Sequence, residues 1–198
     1  MRSYSSILKD DRGATMVEFT IIMMVLFLLT LGLVDIGNMF FQWNSAEKAT
    51  QVGVRAAVIS DPVATELATF DCGSSGIQLG TPCRNGGASF GTVTCTAAST
   101  SGGTCSGSYT FSDNAFDLIL APMRTMYPRL QRQNIVVEYV DVGLGFAGRQ
   151  APVPEVRVRL TGLTFDYAFL GGLLGFSSIT MPDFRATLVG EDLSSAGA

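Results

Sequence analysis

Histidine is absent from the 198 residues. Its absence removes the commonest general base and the commonest metal ligand. Ser-His-Asp and Cys-His nucleophiles and histidine zinc sites are therefore excluded. Charge is also scarce. Asp, Glu, Lys and Arg make up 15% of the chain, where a soluble domain has about 25%. With 47% hydrophobic residues, disorder of the whole chain is excluded as well. Bases are the scarcer sign: 13 Lys and Arg stand against 17 Asp and Glu, for a net charge of −4. Residues 62–198 contain no lysine at all. A general nucleic-acid binder needs a positive field along the phosphates, and this chain lacks one.

What is present is apolar, with a mean hydropathy of +0.33. The excess is concentrated in Ala14 to Val34, ATMVEFTIIMMVLFLLTLGLV, which carries a single charge, Glu18. About 20 such residues cross a bilayer as a helix. A cleaved secretory signal has a shorter apolar core and a small-x-small site after it. Here Asp35-Ile36-Gly37-Asn38-Met39-Phe40 follows, which offers no such site. A buried helix of a soluble domain rarely runs this long. The segment reads as a retained membrane span. Arg2, Lys9 and Arg12 precede it, so the positive-inside rule puts the N-terminus in the cytoplasm and the chain from Asp35 outside it.

The helical pattern continues past the span. Ile36, Met39, Phe40, Trp43, Ala46, Thr50, Val54 and Ala57 recur every three or four residues, with Asn38, Gln42, Asn44, Glu47, Lys48, Gln51 and Arg55 between them. This is an amphipathic helix. It is expected to end at Ser60-Asp61-Pro62, because Pro disfavours a helical residue before it. A continuous helix from Ala14 to Ser60 spans about 70 Å, with Gly32, Gly37 and Gly53 as places to bend. Its outer half, residues 35–61, can pack on the following domain as a stalk, offer a lateral assembly surface, or do both.

From Pro62 onward the pattern is that of a small α+β domain. Residues 71–109 are rich in Gly, Ser, Thr and Cys, which suits turns and short strands. Residues 113–127 have a helical apolar face, with Asp113 or Asn114 as the expected cap. Ile135–Val142, Val156–Leu160 and Ile179–Val189, the last interrupted by Pro182, read as strands of an antiparallel sheet. The four cysteines, Cys72, Cys83, Cys95 and Cys105, all fall in the exported part. None forms a C-x-x-C pair, so disulfides are expected rather than zinc. Three connectivities are open. Cys72–Cys83 with Cys95–Cys105 is favoured because each closes a short loop.

Gly143-Leu144-Gly145-Phe146-Ala147-Gly148 matches the G-x-G-x-x-G pattern, but Pro152, Pro154 and a strand follow it. A dinucleotide site needs a helix there, so the motif reads as a flexible hairpin loop. Glu138, Asp141, Glu155 and Asp166 are scattered along strands and read as solvated positions. No cofactor, metal or small-molecule substrate is expected. The stretch LGGLLGF, from Leu170 to Phe176, is read as core, with an exposed docking loop as the alternative.

Glu18 is the informative exception. A carboxylate inside a spanning helix costs ~3 kcal/mol near the centre and less near an end, and the segment holds no partner for it. Cleavage between Gly13 and Ala14 would create an amino group on Ala14, with Glu18 as the fifth residue of the mature chain. In a bundle, that amine on one subunit can neutralise the carboxylate of its neighbour and penalise wrong registers. A carboxylate that stays wet at the cytoplasmic interface is the alternative.

The stretch GATMVEFTIIMMVLFLLTLGLVDIGNMF resembles the N-terminus of class III prepilin-like proteins, specifically the TadE-like family of tight-adherence (Flp) pilus assembly. Gly13, the Val17-Glu18-Phe19 triplet and the exit Gly32-Leu33-Val34-Asp35-Ile36-Gly37 carry the likeness. Ala46 to Val58, AEKATQVGVRAAV, and the order of segments from Val156 to Glu191 extend it. The resemblance implies a non-enzymatic minor pseudopilin that acts in pilus initiation, capping or regulation. It also implies a prepilin peptidase that cuts after Gly13, an inner-membrane single-pass anchor with a periplasmic domain, and other pilins as partners. The organisation it implies is a leader at 1–13, a span at 14–34, a stalk at 35–61 and an exported α+β domain at 62–198 with a Cys-rich insert at 71–109. The alternatives are a minor pseudopilin of a type II secretion machine and a membrane-anchored exported enzyme or binding domain. The Ala14-Thr15-Met16-Val17 start departs from the Phe-led start usual in the first, and the second lacks a nucleophile motif.

Overall fold

The computed structural model describes residues 11–148, 153–175 and 178–190. Its first element is a single helix, α1 (Asp11–Ile59), of 49 residues. It begins three residues before Ala14 and stops one before Ser60. Gly32, Gly37 and Gly53 do not interrupt it. The chain folds as two compact units. One comprises residues up to Phe41 together with 165–179, and the other comprises 42–164 and the chain from Thr180.

In the second unit, α1 buries one stripe: Gln42, Ala46, Ala49, Thr50, Gly53, Val54 and Ala57. The steps of three and four make this the inward face of an amphipathic helix. The small residues let the helix come close to its neighbour. A Cβ built on Gly53 would lie 2.5 Å from the sulfur of Met123, a fully buried side chain. Gly53 is thus a point of close packing, not a bend. Ile36 and Phe40, expected on the apolar face, are exposed, and Trp43 is 37% exposed, against Phe184 with ring centroids 5.0 Å apart.

The strands β1 (Thr92–Ala97) and β2 (Gly103–Cys105) form a hairpin. Helix α2 (Asp113–Met126) follows, then β3 (Ile135–Leu144) and β4 (Val153–Leu160). After β5 (Thr164–Asp166), α3 (Leu170–Leu174) and β6 (Ser178–Thr180) comes the last strand, β7 (Phe184–Val189). The main sheet has the order β2-β1-β3-β4-β7, with antiparallel neighbours throughout. Strand β4 alternates as the sequence demands: Pro154, Val156, Val158 and Leu160 are buried, and Glu155, Arg157 and Arg159 lie half-buried on the other face.

Two local expectations need correction. The cap of α2 is Ser112, whose hydroxyl accepts the Ala115 N–H at 3.3 Å. Asp113 is occupied elsewhere: its carboxylate accepts the Gly102 N–H at 2.9 Å and pairs with Arg132. The segment Ile179–Val189 is not one strand. Its two ends, β6 and β7, belong to different sheets, because Pro182 has no N–H to offer a ladder.

The chain leaving α1 is fixed by long-range bonds. Val63 donates its N–H to the Tyr139 hydroxyl at 2.9 Å, and its carbonyl accepts from Ser112 at 2.8 Å. Burial pushes the Tyr139 hydroxyl pKa up. Two residues on from Ala64, Glu66 takes both the hydroxyl and the N–H of Thr110, at 2.6 and 2.8 Å. These bonds pull its carboxyl down to about 2.

Disulfides join Cys72 to Cys83 and Cys95 to Cys105. The second pair are direct partners in the β1–β2 register. In the chain-entropy model each closed loop stabilises by roughly 3 kcal/mol. The glycine motif is held in place, in contrast to the flexible loop expected. Residues 143–147 exchange backbone bonds with 80–84: Gly80 donates to Ala147, Ala147 to Thr81, Cys83 to Gly145 and Arg84 to Gly143. The N–H groups of Gly143 and Gly148 are taken by the carboxylates of Asp141 and Asp71. A phosphate would find these donors already used.

Candidate functional site

The first unit carries the feature on which function turns. From Thr15 to Thr30 the helix is exposed at every position but one, Met23, which is half-buried. Met24, Val25, Leu26 and Phe27 are each at least half exposed, and four successive residues of a helix point to four different sides. A helix that is apolar on all sides belongs in a core or a membrane, and no core covers this one. Among the described residues it is the one helix long and apolar enough to cross a bilayer. Two of its hydroxyls are satisfied locally: those of Thr20 and Thr30 donate to the carbonyls of Met16 and Phe27 at 2.8 and 3.0 Å. In lipid, where water cannot serve a hydroxyl, such internal bonds are required.

Gly13, Ala14 and Glu18 all lie at the start of α1, and Gly13 and Glu18 are exposed. Glu18 is one turn of helix beyond Ala14. A Cβ on Gly13 would meet nothing within 4 Å. Glycine in a helix interior costs about 0.5–1 kcal/mol relative to alanine. The fold therefore gives no steric reason for glycine at position 13.

At the other end of the apolar run lies a contact that sequence reasoning missed. Asp35 is buried. Its carboxylate accepts the backbone N–H groups of Ala168 at 3.1 Å, Phe169 at 2.9 Å and Leu170 at 2.7 Å. These are the residues that enter α3, whose first N–H groups have no partner within a helix. One turn earlier, the Leu170 side chain rests on Gly32, 3.5 Å from where a Cβ would stand. The stretch left open between core and docking loop is thus a short helix seated on α1, with Gly171 buried and Phe169 48% exposed. Phe176 lies outside the described residues. The signal for the contact was available: an acid ends a long apolar run with no base nearby, and a charge-free run stands at 167–182.

Among the described residues no three metal-ligating side chains gather. Glu138 pairs with Arg159 at 3.0 Å and Glu155 with Arg157 at 2.5 Å. These carboxylates balance strand arginines. A cleft of about 380 Å³ lined by Trp43, Glu47, Thr50, Gln51 and Asp183–Arg185 is open to solvent.

An exposed all-round apolar helix, entered at Gly13 and left through Asp35, now has a counterpart among known proteins. Residues 13–55 match the family model described as TadE-like protein. No curated protein and no solved structure matches the chain. The TadE-like match starts on Gly13 and runs through the exposed apolar stretch, the Asp35 exit and most of the buried stripe. The family it matches is associated with the tight-adherence (Tad) pilus and is non-enzymatic in general. The TadE-like helix suits a single-pass membrane anchor.

Proposed function

We propose that the protein is a minor pseudopilin of a tight-adherence pilus machine. A prepilin peptidase cuts it after Gly13, and residues 14–34 hold it in the bacterial inner membrane. The N-terminus faces the cytoplasm and the disulfide-bonded domain faces the periplasm. The observation that carries this reading is the helix itself: apolar and exposed on every side, with one charge, Glu18, a single turn beyond Ala14. Gly13, which the fold does not need, supports a role in recognition by the peptidase.

In this reading the freed Ala14 amine of one subunit meets Glu18 of the next. The pair sets register: subunits shifted by a turn would leave both charges unpaired in lipid. Two variants test it. Gly13→Leu accumulates as the uncut chain in a host that supplies the peptidase. Glu18→Gln inserts and is cut normally but fails to support pili. Normal piliation and adherence by Glu18→Gln would overturn the register role.

A further inference from the structure

If residues 14–34 span the membrane, as proposed, a segment far along the chain is carried to its edge. Leu170 rests on Gly32, and Gly32 lies two residues inside the end of that span. Whatever touches Gly32 lies at the depth of the last turn of the membrane helix. The segment that does so is suited to that depth. From Tyr167 to Pro182 the chain has no charged residue, although Asp166 and Asp183 flank it. It opens with two aromatics, Tyr167 and Phe169, the residue type that gathers at the membrane boundary. Phe169 is 48% exposed, beside a helix whose own exposed residues at this level, Leu33 and Val34, are apolar.

A backbone entering that zone must have its polar groups satisfied, because water is scarce there. Asp35 meets this need by accepting three successive N–H groups, from Ala168 to Leu170. The carboxylate is in turn provided with donors where an unpaired charge would be costly.

We infer that Tyr167–Gly175 is a second membrane contact, an interfacial anchor in the leaflet where the span ends, held in place by Asp35. The occupant of its exposed apolar surface is lipid: the acyl chains just beneath the head groups. The inference rests on the span reading and adds to it. The chain is tied to the bilayer at two places instead of one, and the second is a helix of only five residues lying at the interface.

The test uses the full chain in liposomes, with tryptophan as a depth probe. Trp43, the one native tryptophan, is first replaced by Phe. Phe169→Trp and Leu26→Trp are then made separately. Each is reconstituted with lipids brominated near the head-group end of the acyl chain or near its terminus. Leu26→Trp should be quenched most by the deep bromine, which reports the span. Phe169→Trp should have blue-shifted emission and lose most of it to the shallow bromine. Adding Asp35→Ala to Phe169→Trp should restore most of that emission. Quenching of Leu26→Trp without quenching of Phe169→Trp overturns the anchor and leaves the span standing. Absence of quenching at both overturns the span and the anchor with it. Quenching of Phe169→Trp that survives Asp35→Ala overturns the role given to Asp35.

Discussion

Phe169 donates its backbone N–H to the carboxylate of Asp35 at 2.9 Å, across 134 residues of sequence. Two flanking N–H groups share the same carboxylate. The pair joins the exit of the apolar helix to a segment near the other end of the chain.

Removing the carboxylate leaves three donors without an acceptor. Asp35→Ala should speed hydrogen exchange at the amides of 168–170 by an amount equivalent to about 1–3 kcal/mol. Asp35→Asn keeps one acceptor oxygen and should fall between Ala and the wild type. Unchanged protection in Asp35→Ala would show that the bonds do not hold the segment.

Tyr139→Phe removes the acceptor of the Val63 N–H. Both residues are fully buried, so no water replaces the lost bond. Unfolding followed by circular dichroism should show a loss of about 1–3 kcal/mol. A change below a few tenths of that range would mean that Val63 finds another acceptor.

The close approach at Gly53 makes a volume prediction. Gly53→Ala gains helix propensity, yet its Cβ would lie 2.5 Å from the Met123 sulfur, so it should not stabilise. Gly53→Leu should destabilise by about 1–3 kcal/mol through overpacking. Met123→Ala combined with Gly53→Leu should recover part of that loss. Additive losses in the double variant, measured by chemical denaturation, would show that the two sites do not compete for space.

Glu66 contributes to the acid limb of stability. Hydrogen bonds from Thr110 hold its carboxyl at about 2, against the usual 4.5. Because the folded value is the lower one, the contribution is complete above about 4.5 and is lost as pH falls toward about 2. The melting-temperature gap between wild type and Glu66→Gln should therefore narrow over that window. A gap that stays constant from pH 5 to pH 2 would contradict the assignment.

The sequence carried the architecture unevenly, for physical reasons. The long helix was legible because its apolar pattern is strong and Pro62 marks its end. Strands β3 and β4 were legible from their Val-rich and alternating runs. Strand β5 and helix α3 have three and five residues, too few for a periodic pattern to emerge. Ser112 outcompeted Asp113 as a cap only because Gly102 and Arg132, distant in sequence, claim that carboxylate. At the candidate site, Glu18 stands out in the sequence as a charge in an apolar run, whereas Gly13 is singled out by the resemblance and not by a local pattern. Asp35 breaks the apolar run too, but its partners lie more than 130 residues away, in a charge-free run that no local pattern links to it.

In the proposed function the chain is cut between Gly13 and Ala14, so that Glu18 stands one turn from a free amine. N-terminal sequencing of the protein extracted from the membranes of a host that carries the prepilin peptidase tests it most directly. Cleavage there gives a sequence beginning Ala-Thr-Met-Val-Glu. A mature protein that still begins upstream of Gly13, with pili assembled normally, would contradict it.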